Sequence, residues 1–333
     1  MTSTPRITIV IPTRDRLAAL VETVGRLGTQ TLSSDAYEIV VVDDGSATPI
    51  APSTLLPTPC RVLRLEGRER SAARNEGARA ARGAIVAFVD DDMAVEPTFL
   101  EAHVRAHAEW PGALVVGSIR LPDSAAATPF GRFRQALEAE GVPTARGPVP
   151  AQNLCTAANM SIDVRRFLEL GGFDAEIVSG EDQDLALRHT ARGGTIVFLP
   201  EALTIHRDTA LDLRSYGRRV ERGNEGVVAF CRRHRDWPDN AARDRVNGPI
   251  RWGREPLGSS IRKLQKQILG TPPLFGSLMA VVDVIERVAP ASRLLDRLYR
   301  AVLGVCILRG YRRGLMRAAT GPNETARTSV HAA

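Results

Sequence analysis

Residues 86–97 read VAFVDDDMAVEP, an apolar run that ends in Asp90, Asp91 and Asp92. Adjacent carboxylates repel, and each disfavours ionisation of the next unless a positive charge sits among them. A divalent cation, Mn2+ or Mg2+, meets that need. Such hard ions take a few carboxylate oxygens from protein and fill the rest of their shell with phosphate oxygens and water. His206 ends the run TIVFLPEALTIH (195–206) and is a candidate nitrogen ligand, which suits Mn2+ better than Mg2+. It also reads as an ordinary capped strand-end histidine.

Other polar groups recur at similar places. Thr13, Arg14 and Asp15 follow ITIVIP (7–12), and Asp43 and Asp44 close the apolar part of YEIVVVDDGS (37–46). One acid at a strand end is ordinarily a helix cap; five in two clusters are not all caps. SAARNEGARAARG (71–83) offers Arg74 as a fixed cation for phosphates or a base, with Asn75 beside it. SGEDQDLALR places Glu181 and Asp182 at a helix start, where the helix dipole favours acids. Beside a metal–diphosphate site, one of the two carboxylates is a natural general base for a hydroxyl.

The elements that must carry these groups follow from periodicity. Short apolar runs at 7–12, 37–46, 61–65 and 84–92 alternate with helical patterns at 17–31 and 71–83, the signature of βαβ units and a parallel sheet. In such sheets, ligands sit beyond the carboxyl ends of the strands. The pattern predicts a helix over 97–110, a strand over 113–121, and a Pro- and Gly-rich candidate lid over 122–152 with a helix near FGRFRQALEAEG. It predicts further helices over 161–174, capped by Ser161 or Asp163 and stopped by Gly171, and over 181–194. One or two short strands follow at 195–206. Beyond them come an Arg-studded helix over 210–235, a linker over 238–258, helices near 274–288 and 292–317, and a disordered end.

Composition bounds the chemistry. The chain has 333 residues, 44% hydrophobic and 25% charged, as in ordinary globular proteins. Lys263 and Lys266 are its only lysines, which excludes a P-loop and a Schiff-base lysine in the N-terminal part. Cys60, Cys155, Cys231 and Cys306 are dispersed, without a CxxC pair, as suits a reducing cytoplasm. Residues 1–206 hold 20 Arg against 26 Asp/Glu, whereas 207–333 hold 24 Lys/Arg against 12. The basic excess therefore belongs to the C-terminal third. It fits peripheral contact with an anionic membrane, or a solvated helical surface. Its apolar windows are broken by charges, so crossing a bilayer is not expected. Interleaved aromatics are missing, so nucleic acid is not an expected partner.

The stretches TIVIPTRDR, EIVVVDDGS, RSAARNEGARAARGAIVAFVDDD, AANMSIDVRRFLELGGFD, GEDQDLALR and LPEALTIH, in this order over roughly residues 5–207, resemble family 2 glycosyltransferases of the GT-A fold. The resemblance implies an α/β fold with a mixed, mostly parallel sheet flanked by helices and a C-terminal helical extension. It implies a GT-A domain over 1–207, an Arg-rich closing helix over 208–240, a linker and basic helical region over 241–318, and a tail over 319–333. It also implies metal-dependent, inverting transfer of a sugar from a UDP-, dTDP- or GDP-linked donor to an acceptor hydroxyl. The acceptor would be an envelope glycan or glycolipid precursor, or a natural product.

Carried onto this sequence, Asp92 is the metal ligand of the DXD element, Asp90 faces the ribose, and Asp91 lies between them. His206 is the metal-side histidine. Asp43 or Asp44 meets the base, Pro12 and Thr13 line its pocket with Arg14 alongside, and Arg74 and Asn75 lie near the nucleotide. Asn159 lines the sugar pocket. Asp182 is the catalytic base, with Glu181 beside it. The QXXRW element of processive synthases is absent, since HRDW (234–237) has the wrong spacing. A sugar-1-phosphate nucleotidyltransferase is the enzyme alternative, but PTRDR lacks the glycines such enzymes carry after their first strand. A non-catalytic sugar-binding or membrane-associated module is the other. The expected location is cytoplasmic, peripheral at the inner face of the membrane.

Overall fold

A computed structural model describes residues 4–58, 60–150, 154–207 and 212–320. In chain order, the first elements are β1 (Ile7–Thr13), α1 (Leu17–Leu27), β2 (Tyr37–Asp44), β3 (Arg61–Leu65), α2 (Glu69–Arg79), β4 (Ile85–Val89) and β5 (Met93–Val95). There follow α3 (Phe99–Glu109), β6 (Leu114–Arg120), α4 (Pro129–Ala139), β7 (Gly147–Pro148), β8 (Asn159–Asp163), α5 (Val164–Glu169), α6 (Glu181–Ala191) and β9 (Ile196–His206). Five helices complete the described chain: α7 (Leu213–Arg233), α8 (Pro238–Asn247), α9 (Leu257–Leu269), α10 (Pro272–Val288) and α11 (Arg293–Thr320).

The described strands form one mixed sheet of nine, in the order β3-β2-β1-β4-β8-β6-β9-β5, with β7 also pairing β9. Pairings β1–β2, β1–β4, β2–β3 and β6–β9 are parallel and include the longest ones; β4–β8, β6–β8, β5–β9 and β7–β9 are antiparallel. Every residue of β1 is buried, as a parallel strand covered by helices on both faces requires. The order reverses at β1, which carries β2 on one side and β4 on the other. The carboxyl ends of β1 and β4, with Thr13 and Asp90 just there, thus flank the switch point where ligands of such sheets bind.

Several expectations change. Strands β5 and β8 were not expected, and both are antiparallel insertions too short to show a period. The 161–174 stretch begins as strand β8, and only then does Asp163 cap α5, its carboxylate accepting from Arg166 N at 3.0 Å. Gly171, at φ +84°, follows the helix end as expected. The 195–206 stretch is one strand. Residues 238–258, read as linker, hold α8, and α9 went unexpected. The tail after Thr320 lies outside the described residues. The candidate lid holds α4, whose Phe130 and Phe133 are buried, and β7, which pairs with β9; its residues 151–152 lie outside the described chain.

The described residues fall in two compact units. One lies within Met1–Ala125, Gln135–Ala175 and Glu181–Thr209, the other within Ala126–Arg134, Glu176–Gly180 and Ala210–Ala333. In the second, α7 packs along α11. Gly310 and Gly314 make that approach close, because a Cβ at either would strike the Glu221 or Glu225 carbonyl. In the first, α2 lies on β1 and β2 through Gly77, where a Cβ would overlap the Val10 side chain and press on Val42.

Gly77→Ala tests that contact. Overpacking of about 1–3 kcal/mol outweighs a helix-propensity gain of about 1 kcal/mol, so a urea melt shows net destabilisation. An unchanged or raised midpoint would refute the tight fit.

Candidate active site

The loops after β1, β2 and β3 are tied together at the carboxyl edge of the sheet. Asp15, at φ 54°, donates its N–H to Ser46 Oγ (2.9 Å) and accepts from Ala47 N (2.7 Å). Asp44 accepts from Arg68 N at 2.7 Å. Gly45 takes φ +81° where a Cβ would meet the Gly67 backbone at 2.9 Å, so this crossing needs a glycine. Asp43 is wholly buried and accepts from Ser46 N (2.8 Å), Ile50 N (3.3 Å) and Arg64 Nη1 (2.5 Å). Burial alone would raise its pKa, but these donors outweigh it and hold the carboxylate below its usual range.

The three acids at the end of β4 meet two arginines and a histidine. Arg74, 2% exposed, donates to Asp90 Oδ1 at 2.7 Å. Arg16 reaches from the loop after β1 to Asp91 Oδ1 (2.8 Å) and Asp92 Oδ2 (2.9 Å). His206 Nε2 stands 3.4 Å from the same Asp92 oxygen. Strand β5 makes that last contact, because it pairs Met93 with His206 and lets Arg207 N donate to Asp92 O at 3.0 Å.

The neighbouring acids diverge in proton affinity. Burial pushes Asp91 up to about 6, with Asp92 and Asp90 adding to the rise against the Thr13 hydroxyl (2.6 Å) and Arg16. Asp92 is also buried, but the His206 ring and Arg16 overcome that and hold it far below the carboxylate range. Asp92 therefore carries the firm negative charge of the triad.

Arg74 also donates to Glu181 Oε1 at 3.0 Å, so one buried guanidinium joins the β4 turn to the first residue of α6. Asp182 follows. Its carboxylate accepts from Gln183 N at 2.8 Å and, weakly, from Ala157 N at 3.4 Å. Protein encloses Asp182 closely, yet it keeps some solvent contact. Burial, with the adjacent Glu181 charge, raises its pKa to about 7 against the pull of Gln183 N–H and Arg74. A carboxylate of that strength is matched to taking a proton near neutral pH.

Some sequence-predicted residues serve the fold instead. Asn159 is fully buried, and its amide donates to Ser118 O (3.0 Å) and Ala202 O (2.8 Å) while its oxygen faces His103 Nε2 (3.1 Å). The β6–β9 register slips between Gly117 and Ser118, passing over residues 200–202 of β9, and Asn159 bridges the gap through Ser118 O and Ala202 O. Its side chain has nothing left for a sugar. Asn75 is equally committed, donating to Phe173 O and accepting from Phe173 N, both at 2.8 Å. Both terminal nitrogens of Arg74 are engaged by carboxylates, so in this structure it positions acids. Its Nε lies buried without a partner. Pro12 is buried in β1, whereas Arg14 is exposed, with its guanidinium beside Gly67. Asp44, 5% exposed, carries a backbone cap. Arg16 was missed: in PTRDR it looks like a surface arginine, and only the fold brings it to residues 91 and 92.

Asp92 and His206 are the residues that would hold a metal ion. One carboxylate and one imidazole suit an ion that keeps phosphate oxygens and water around it, and the mixed donors suit Mn2+. No group of three or more His, Cys, Asp or Glu suited to an ion occurs among the described residues, so the protein alone does not cage one.

Comparison with known proteins follows this geometry. The profile of Glycosyl transferase family 2 matches residues 8–135. The pre-mycofactocin glycosyltransferase of Mycobacterium tuberculosis is 27% identical over 321 residues, covering 94% of this chain and 62% of that protein. The chain thus spans less than two thirds of that relative's length. The uncharacterized glycosyltransferase YwdF of Bacillus subtilis is 30% identical over 196 residues, covering 55% of this chain and 67% of that protein. Among solved structures, the mannosyltransferase PcManGT of Pyrobaculum calidifontis, in complex with GDP-Man and Mn2+, aligns with a TM-score of 0.59 at 19% identity. It covers 94% of this chain and 89% of that one. The sheet and its flanking helices are those of the GT-A fold.

Arg74→Ala leaves Asp90 and Glu181 buried without their cation, so unfolding free energy falls by about 3–5 kcal/mol at pH 7. Arg74→Met, which keeps most of the side-chain bulk but not the charge, should lose nearly as much. A methionine variant as stable in urea titrations as the unsubstituted protein would show that packing, not charge, is what Arg74 supplies.

Proposed function

The chain belongs to glycosyl transferase family 2, and from that premise we propose that it moves a sugar from a nucleotide-diphospho-sugar to an acceptor hydroxyl, inverting the anomeric carbon. UDP, dTDP and GDP are the donor nucleotides in view. The observation that carries the reading is Asp182, a carboxylate of raised proton affinity on the helix that Arg74 binds to the Asp90 turn.

The acceptor oxygen attacks the anomeric carbon from the face opposite the diphosphate. Asp182 takes the hydroxyl proton as the new C–O bond forms, and the electrons of the broken C–O bond leave on the nucleoside diphosphate. Asp92 and His206 would hold a divalent ion, Mn2+ by preference, which would supply charge neutralisation for the leaving phosphates. Arg16 keeps the metal-side acids compensated until then. The base lies toward Asp43 and Asp44, with Pro12, Thr13 and Arg14 at the pocket wall. The GDP-Man and Mn2+ of the mannosyltransferase support a nucleotide-linked donor and this ion.

For the acceptor, we propose an envelope glycan or glycolipid precursor or a natural product; the name of the M. tuberculosis relative supports the last. We place the reaction in the cytoplasm, peripheral at the inner face of the membrane. Four unpaired cysteines support a reducing compartment, and the basic C-terminal third supports the peripheral site.

Asp182→Asn should cut transfer by roughly a thousandfold while calorimetry shows donor binding unchanged. Loss of both, or of neither, sinks the assignment. In the unsubstituted protein the base works only when ionised, so kcat/KM climbs with pH up to about 7 and levels above it. A flat profile across that range would speak against Asp182.

Arg16 competes with the ion for one Asp92 oxygen. Arg16→Ala should therefore tighten Mn2+ binding about two- to fivefold, read from free Mn2+ by electron paramagnetic resonance. Weaker binding would mean that Arg16 organises the site.

A further inference from the structure

Helix α9 is built inside out. Ser260 and Lys263, each 1% exposed, face inward, while Leu257, Ile261, Leu264 and Ile268 are 66, 41, 37 and 49% exposed. Spacings of four, three and four residues put these four on one face. The inward polar groups are satisfied. Lys263 Nζ donates to Glu255 Oε2 at 2.6 Å and Pro249 O at 3.0 Å, and Ser260 Oγ donates to Glu255 Oε1 at 2.8 Å. A lysine inside and a row of leucine and isoleucine in water is an unfavourable exchange unless something covers the row.

The border of the row says what covers it. Arg251, Arg254 and Arg262 are exposed around it, and Trp252, 58% exposed, stands in the loop that leads into α9. Between residues 245 and 282 Glu255 is the only acid, and it is buried against Lys263. The exposed charge of this segment has one sign. A second copy seated on the same face would set arginines against arginines. Helix α10 bends away by 85° and exposes Val281, Val284 and Val288; no single described helix is long and apolar enough to cross a bilayer, and α9 and α10 reach that length and composition only as a sharply bent pair. An apolar row with a cationic border, too short to span, is the pattern of a helix lying in a membrane interface.

We propose that the Leu257–Ile268 face of α9 docks on the surface of an anionic lipid bilayer. The leucines and isoleucines enter the boundary of the acyl region, and Arg254 and Arg262 lie over the lipid phosphates. The inference does not depend on the sugar-transfer reading, since α9 carries no residue of the proposed site.

The test is co-sedimentation of the full chain with vesicles, either phosphatidylcholine alone or mixed equally with phosphatidylglycerol, at low and high salt. Capture by the mixed vesicles at low salt, and much less by the neutral ones, is expected. A variant with Leu257, Ile261, Leu264 and Ile268 all changed to serine should stay in the supernatant with its circular dichroism unchanged. Arg254→Glu with Arg262→Glu, which leaves the apolar row intact, should weaken partition by on the order of thirtyfold. Full-length chain that ignores mixed vesicles overturns the proposal. So does undiminished capture of either variant, equal capture by neutral vesicles, or a dimer that the serine variant dissolves while vesicles have no effect.

Discussion

Arg74 is the joint on which the site depends. It lies buried between Asp90, at the end of a central strand, and Glu181, at the head of the helix that bears Asp182. Placing a guanidinium in the interior is costly, and two carboxylates at hydrogen-bond distance are what make it tolerable. The arrangement holds the Asp90 turn and the head of α6 in one frame although 90 residues of chain separate them. It also explains how Asp182 can be enclosed beside another acid: Arg74 bonds Glu181 directly and its charge partly offsets the burial that raises the proton affinity of Asp182.

The same division of labour runs through the aspartate triad. Three carboxylates in a row do not behave as three copies of one group. Asp90 is claimed by Arg74, Asp91 is buried and its proton affinity is raised, and Asp92 is kept ionised by His206 and Arg16. The repulsion visible in the sequence is met within the protein, by two arginines and the His206 ring. Arg16, partly exposed and on a loop, is placed to give way; Arg74, buried and doubly engaged, is not.

Much of this was legible in the sequence because the first half of the chain follows simple rules. Buried parallel strands read as unbroken apolar runs, and their carboxyl ends carry the polar residues. What escaped shares a physical cause. β5 has three residues and β8 five, too few for a period, and both gain their place only by pairing with distant strands. Asn75 and Asn159 stand in stretches that resemble a ligand site, yet their amides are spent on backbone groups that only the fold brings near. The linker reading of 238–258 failed because its Pro, Asn and Gly residues start and stop helices there. α9 hid because its apolar face points outward, the reverse of what amphipathic patterns ordinarily mean.

The pairing of β5 with β9 has a bearing on how the protein is made. Asp92 and His206 are brought together by a ladder of three residue pairs whose halves leave the ribosome far apart in time. Until β9 has emerged and settled between its neighbours, the triad has neither its histidine nor the backbone bond from Arg207. The nascent chain thus passes through a long interval with its acidic turn unfinished. Chains released early, before residue 206, would carry the aspartates without the means to order them.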